Sequence, residues 1–244
     1  AAWRVAATVS SVAAPSAPAS ASVTAEPVPN RGMSGFQWLM LGGAAITGAS
    51  SFVYEVGWIR LLNQALGTTV HSFELMLTAF ILGLAFGGLW VRKRSRKIDD
   101  PVASAGVAQV LMGLAALASL PMFAQSFQWV GWFMGIFPRT ETGYYLFSLG
   151  SGVVALLVMF PAAFFAGMTL PLFTMALLRR GYGEKSIGRI YAANTLGAIV
   201  GVVLAMHVLI PLLGLRLAVT VAAFADIVLG LVLLRALSTT FKPK

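Results

Sequence analysis

Few residues in this sequence are able to do chemistry, and those few sit among apolar neighbours. Asp226 lies midway along a hydrophobic run from about Leu215 to Leu234. A carboxyl at that depth in hydrocarbon must face a partner, water or a protonating environment. Proton coupling, cation binding and a neutral core role all stay open for it. Glu55 and Arg60 lie where one apolar run ends, and His71 and Glu74 lie where the next begins. His71 and Glu74 are three residues apart, so on a helix they share a face. Glu55, Arg60, His71 and Glu74 are expected to converge at one mouth of a helical bundle. That cluster would either attract a cation or simply fix the corner between two helices. His207, Asn194 and Thr195 add polar groups to a later run, where side-chain amides and hydroxyls bond across helices.

Catalytic signatures are missing. There is no HExxH, no Walker sequence, no GxSxG and no paired-carboxylate motif within a run. Gly150-Ser151-Gly152 sits inside an apolar stretch, follows no strand and is no phosphate loop. The chain has no cysteine and only two histidines, 136 positions apart, so no metal site is expected. No cofactor, catalytic residue or enzymatic activity is expected of these residues.

Such isolated polar groups need elements to position them, and composition says what kind. Of 244 residues, 58% are hydrophobic and 10% charged, with a mean hydropathy of +0.85. Soluble domains carry about 25% charged residues. So few charges cannot dress a water-facing surface, whereas lipid tails solvate Leu, Val and Phe directly. An all-α, polytopic transmembrane bundle follows. A net charge of +9 in a soluble chain would suggest nucleic acid, but here the basic residues fall between apolar runs and orient them. No nucleic-acid partner is expected.

A bilayer-spanning helix needs about 20 mostly apolar residues. Six segments qualify, at about 36–56, 70–91, 102–124, 144–178, 190–212 and 215–234. Pro101 suits the first turn of the third, where its missing N–H costs nothing. The fourth is too long for one ordinary span, and Pro161 and Pro171 are expected to kink or break it, leaving 171–180 at the interface. Residues 1–34 form a low-complexity Ala/Ser/Pro-rich segment, 35–237 the six-helix domain, and 238–244 a short basic tail. The sequence begins at Ala1, as expected of a processed or partial chain; a transit-peptide remnant is an alternative to a disordered tail.

Orientation follows from the Lys/Arg asymmetry. One side collects Arg4, Arg31, the cluster Arg92, Lys93, Arg94, Arg96 and Lys97, the group Arg179, Arg180, Lys185 and Arg189, and finally Arg235, Lys242 and Lys244. Only Arg60, Arg139 and Arg216 fall on the other side. Both termini are therefore expected inside, in a bacterial cytoplasmic membrane. Residues 57–69, which mix Trp58, Leu61, Leu62 and Leu66 with Arg60, Asn63 and Gln64, and the aromatic-rich residues 126–140 are expected as outer connections, anchored at the headgroup level or docked on a partner.

Small residues are spaced for close helix contact. Gly83 and Gly87 form GxxxG in the second run; Ala193, Gly197 and Gly201 repeat the spacing in the fifth. With no side chain in the way, backbones approach and gain van der Waals contact, either within the bundle or with another subunit.

Four stretches carry a family resemblance: GASSFVYEVGWIRLL at 48–62, AFILGLAFGG at 79–88, GMTLPL at 167–172 and GRIYAANTLGA at 188–198. They resemble the membrane part of bacterial spermidine-synthase-like fusion proteins, in which a multi-helix region, sometimes labelled as related to the major facilitator transporters, is joined to a cytoplasmic aminopropyltransferase-like domain. The resemblance covers about residues 36–237. The family's soluble domain, with its Gly-rich nucleotide loop and amine-binding acids, has no counterpart here, so the resemblance implies a membrane module without its enzyme.

Three functions are expected in turn. The first is an accessory or structural subunit of a larger membrane complex, with lipid and other membrane subunits as partners. The second is a transporter or transporter half for a small cation such as a polyamine, since six helices with both ends inside resemble half of a major facilitator protein. The third is an anchor for a separate soluble transferase docking on the basic loops.

Overall fold

The computed structural model describes residues 33–67, 70–136 and 140–240, with side chains to 236. The expectations for residues 1–32, Arg139 and the tail from 241, including Lys242 and Lys244, lie outside the described residues. So does that for Arg4 and Arg31.

Every described element is helical: α1 (Gly35–Leu66), α2 (Val70–Arg94), α3 (Pro101–Ile136), α4 (Glu141–Arg179), α5 (Lys185–Leu204), a π-helical turn (Ala205–Leu209) and α6 (Ile210–Thr240). Five stretches are long and apolar enough to cross a bilayer, the last running from Lys185 to Ala236. That last stretch is not one straight rod. Gly214, at φ 80° and ψ 168°, leaves helical geometry inside it. Only glycine takes such a φ without a Cβ penalty.

Local chemistry sets the ends. Ser34 and Gln37 form a capping box at α1: the Ser34 hydroxyl accepts from the Gln37 N–H at 3.2 Å, and the Gln37 amide oxygen accepts from the Ser34 N–H at 3.0 Å. Asp100 caps α3 by accepting from the N–H groups of Val102 and Ala103, just before Pro101 enters its first turn. Arg92, Lys93 and Arg94 close α2, where cations suit the negative end of the helix dipole.

Packing fixes the direction of each helix. Gly197 and Gly201 of α5 lie against the backbones of Ala45 and Ala49, so α1 and α5 run parallel. Gly43 meets Leu229 and Gly57 meets Val219, so α6 runs antiparallel to α1. On α3, Gly106 meets Leu234 and Gly113 meets Ala223, again antiparallel to α6. Gly152 meets Leu75 and Gly83 meets Ala163, so α2 and α4 run parallel. Gly150 against Phe133 sets α4 antiparallel to α3. Odd helices point one way and even helices the other, and the chain reverses at Gly214.

Two sequence expectations need correction. α4 is not broken: Pro161 and Pro171 both sit inside a continuous helix to Arg179, with Leu172, Phe173, Ala176 and Leu177 buried. Neighbouring helices and local adjustment re-satisfy the backbone groups that a proline frees. Likewise, 57–66 is not an interfacial connection but the continuation of α1. Trp58, Leu61, Leu62 and Leu66 are buried in the core, Trp58 stacking on Tyr54 at 5.3 Å. The second aromatic segment is helical as well, since α3 continues to Ile136; there Trp132 stays exposed.

The surface of the bundle is apolar. Ile81, Phe86, Leu149, Leu196, Ile199, Leu212, Phe224 and Val228 are all more than half exposed. Soluble monomers seldom expose contiguous apolar patches beyond a few hundred Å².

Candidate functional site

A row of polar side chains runs down the inner face of α1. Thr47, Ser50, Tyr54 and Trp58 are spaced by three or four residues, which stacks them on one helix face. All four are buried. Their partners come from α3 and α6. Gln109 of α3 donates its amide N–H to the Thr47 hydroxyl, which donates in turn to the Gly43 carbonyl at 2.8 Å. The Trp58 indole N–H donates to the Ser119 hydroxyl at 2.8 Å, and Ser119 donates to the Ala116 carbonyl.

Asp226 sits at the middle of this row and is fully buried. One carboxyl oxygen accepts from the Ser50 hydroxyl at 2.7 Å and the other from the Tyr54 hydroxyl at 2.5 Å. Ser50 also lies 3.2 Å from the Thr47 carbonyl. A carboxyl held in this way is a hydrogen-bond junction tying α6 to α1. The sequence singled out Asp226 but not Ser50, Thr47, Gln109 or Ser119. The signal for the α1 residues was the helical spacing of polar positions within an apolar run.

The expected cluster at the bundle mouth is not assembled. His71 Nδ1 and Glu74 stand 3.7 Å apart, both well exposed on α2, with Tyr144 beside the imidazole. Arg60 is exposed and directs a guanidinium nitrogen to the Met206 sulfur at 3.1 Å, on the π turn. Glu55 is half-buried, and no hydrogen bond or ion pair joins it to the other three among the described residues. Asp226 is deep in the bundle, apart from them. Within the same turn His207 is exposed, with Nδ1 at 3.2 Å from the Val203 carbonyl. No group of three potential metal-ligating residues occurs among the described residues.

The glycine motifs lie inside the fold. Gly83 and Gly87 lie against Ala163 and the Phe164 carbonyl of α4, while Gly197 and Gly201 lie against α1. Ala193 packs at the edge of the core cluster around Ile190.

The basic segments meet at one end of the bundle. Arg179 donates to the carbonyls of Ser95, Ile98 and Asp99 at 2.8, 2.6 and 3.0 Å, joining the end of α4 to the turn after α2. Arg180 stands 3.6 Å over the Phe36 ring, Phe36 stacks on Tyr182, and the Ser34 and Tyr182 hydroxyls are 2.8 Å apart. Arg92, Lys93, Arg94, Arg96, Lys97, Lys185 and Arg189 are exposed around them.

Two curated relatives match the chain. It is 26% identical over 183 residues to polyamine aminopropyltransferase 2 of Streptomyces coelicolor, covering 73% of this chain and 30% of that protein. It is 24% identical over 212 residues to the polyamine aminopropyltransferase of Corynebacterium efficiens, covering 83% and 37%. The chain therefore spans well under half the length of either relative. No family model and no solved structure matches.

These names correct the functional expectations. Both relatives are named as enzymes, and neither as an accessory subunit, a transporter half or an anchor for a separate transferase. The expectation of no enzymatic activity falls with them. Missing catalytic motifs speak only for the residues of this chain, which spans well under half of either relative.

Proposed function

We propose that this chain is the membrane-embedded helical region of a polyamine aminopropyltransferase, an enzyme that adds an aminopropyl group to a polyamine amine. The observation that carries this is the similarity of nearly three quarters of the chain to a protein of that name. The chain's own contribution is six spans: α1 to α4, then the two halves of the stretch that reverses at Gly214. Support comes from the alternating helix directions and from the apolar outer surface. The Arg-rich end is the cytoplasmic end, because Lys and Arg gather on that side of a membrane. The polar row around Asp226 holds α1, α3 and α6 in register. Every member of that row is buried, which suits a structural role.

The test expresses the full coding sequence in cells lacking their own aminopropyltransferase and separates carbonate-washed membranes from the soluble fraction. The expected result is elongation of a supplied diamine by one aminopropyl group, confined to the membranes. Membranes that hold the chain but never elongate the diamine would overturn the assignment.

A further inference from the structure

Where α2, α3 and α4 meet, two grooves join end to end on the outer surface, both lined by Trp90, Ala103 and Ser104. The first, about 500 Å³, opens at the basic end and is rimmed by Arg94, Lys97, Asp99 and Asp100. The second, about 380 Å³, runs down the helices between Val107, Leu111, Phe164, Phe165 and Met168. One end is charged and the other is hydrocarbon.

The charges at the rim are specific in their commitments. Asp100 caps α3, with one carboxyl oxygen accepting from two backbone N–H groups at 2.8 and 3.1 Å. Arg94 stands over the Trp90 ring at 4.6 Å. No ion pair joins Arg94 or Lys97 to Asp99 among the described residues. The rim thus offers two cations and one uncommitted carboxylate. Its backbone is held in place by Arg179, which grips the carbonyls of Ser95, Ile98 and Asp99 from α4.

We propose that this double groove binds one phosphatidylethanolamine molecule, with its phosphate between Arg94 and Lys97, its ammonium at Asp99 and an acyl chain along Val107, Leu111 and Phe165. The inference rests on the reading that these helices cross a bilayer. The charge pattern selects the headgroup. Arginine and lysine both pair with phosphate, Arg through a fork of N–H donors. Asp99 then discriminates among phospholipids. A phosphatidylglycerol headgroup brings no cation to it, and the trimethylated ammonium of phosphatidylcholine has no N–H to donate. Trp90, at the junction of the two grooves, has the amphipathic ring that favours the headgroup level.

The experiment purifies the full chain into nanodiscs holding equal amounts of phosphatidylethanolamine, phosphatidylglycerol and phosphatidylcholine, then counts retained lipid by native mass spectrometry in mild detergent. Severalfold enrichment of phosphatidylethanolamine is expected, as one molecule per chain. R94A with K97A should abolish that retention. D99N should erase the preference over phosphatidylcholine while leaving a lipid bound. L111W, at a partly exposed position, should fill the acyl groove and abolish retention with the helix content unchanged. Free phosphoethanolamine should not displace the lipid, since it lacks the tail. Equal retention of all three lipids, preference for phosphatidylglycerol, indifference to these variants or displacement by the free headgroup would each overturn the site. Carbonate extraction separates the two readings: a chain released to the soluble fraction sinks the membrane assignment itself, whereas an embedded chain with unselective lipid sinks only this site.

Discussion

Both carboxyl oxygens of Asp226 are occupied by hydroxyls of α1, one from Ser50 and one from Tyr54. Because both partners lie on one helix, 176 and 172 residues away in sequence, this residue has a measurable role in holding α6 against α1. In a membrane bundle such a bond contributes about 0.6 kcal/mol on average and up to ~1.7 kcal/mol. Y54F should therefore lower unfolding stability in detergent by an amount in that range, and D226A, which removes both acceptor oxygens, by at least as much. A double-mutant cycle of the two should show coupling, because they share one bond. Strict additivity of Y54F and D226A would mean the hydroxyl–carboxyl contact is not formed. At this scale the sequence disclosed the acid but not its partners. Ser50 and Tyr54 are ordinary residues within an apolar run, and only the fold brings position 226 beside them. The cluster expected from Glu55, Arg60, His71 and Glu74 failed for the converse reason. α1 continues ten residues past Val56, to Leu66, and carries Arg60 toward Met206 rather than toward α2.

Helix packing depends on what a side chain would meet at each glycine. A Cβ at Gly197 would run into the Ala45 carbonyl oxygen, whereas one at Gly42 would meet nothing within 4 Å. Backbone atoms cannot rotate away, so G197A must push α1 and α5 apart. Overpacking of this kind costs about 1–3 kcal/mol. G42A meets no such obstacle, and its gain in helix propensity, up to about 1 kcal/mol, should leave stability unchanged or raised. Thermal unfolding of the two variants in detergent checks the contrast, and equal melting temperatures would refute the close α1–α5 contact. The same level shows what was legible. GxxxG spacing pointed to tight packing but not to a partner helix, because spacing carries no address. Continuous apolar runs located the helices, since hydrocarbon-facing and core-facing residues look alike in composition. That likeness also hid the true lengths of α1 and α4. Trp58 and Asn63 read as interfacial and Pro161 and Pro171 as kinks or breaks, yet both segments stay helical, with Trp58, Leu61 and Leu62 in one and Ala162, Ala163 and Leu172 in the other buried against neighbouring helices.

For the molecule as a whole, charge and helix direction point to the same topology by independent routes. Lys and Arg counts put positions 92–97 and 179–189 on one side; the Arg179 bonds to Ser95, Ile98 and Asp99 place the two segments within touching distance. Helices that alternate in direction carry the ends of α1 and α3 and the start of α4 to the other end. At 1.5 Å per residue, the 39 residues of α4 extend roughly 58 Å, well beyond a hydrocarbon core of ~30 Å. On the proposed six-span reading the surplus emerges into headgroups or water, so Tyr145, which is 71% exposed near its start, should be reachable from outside. The absence of cysteine makes the test clean, since every introduced thiol is the sole one in the chain. R96C and K185C in sealed vesicles should react with an impermeant maleimide from the cytoplasmic side only, and Y145C from the opposite side only. Labelling of R96C and K185C from opposite sides would contradict both the charge asymmetry and the Arg179 clamp. Labelling of Y145C from the same side as R96C would require α4 to re-enter the membrane rather than cross it, and the six-span reading would fall.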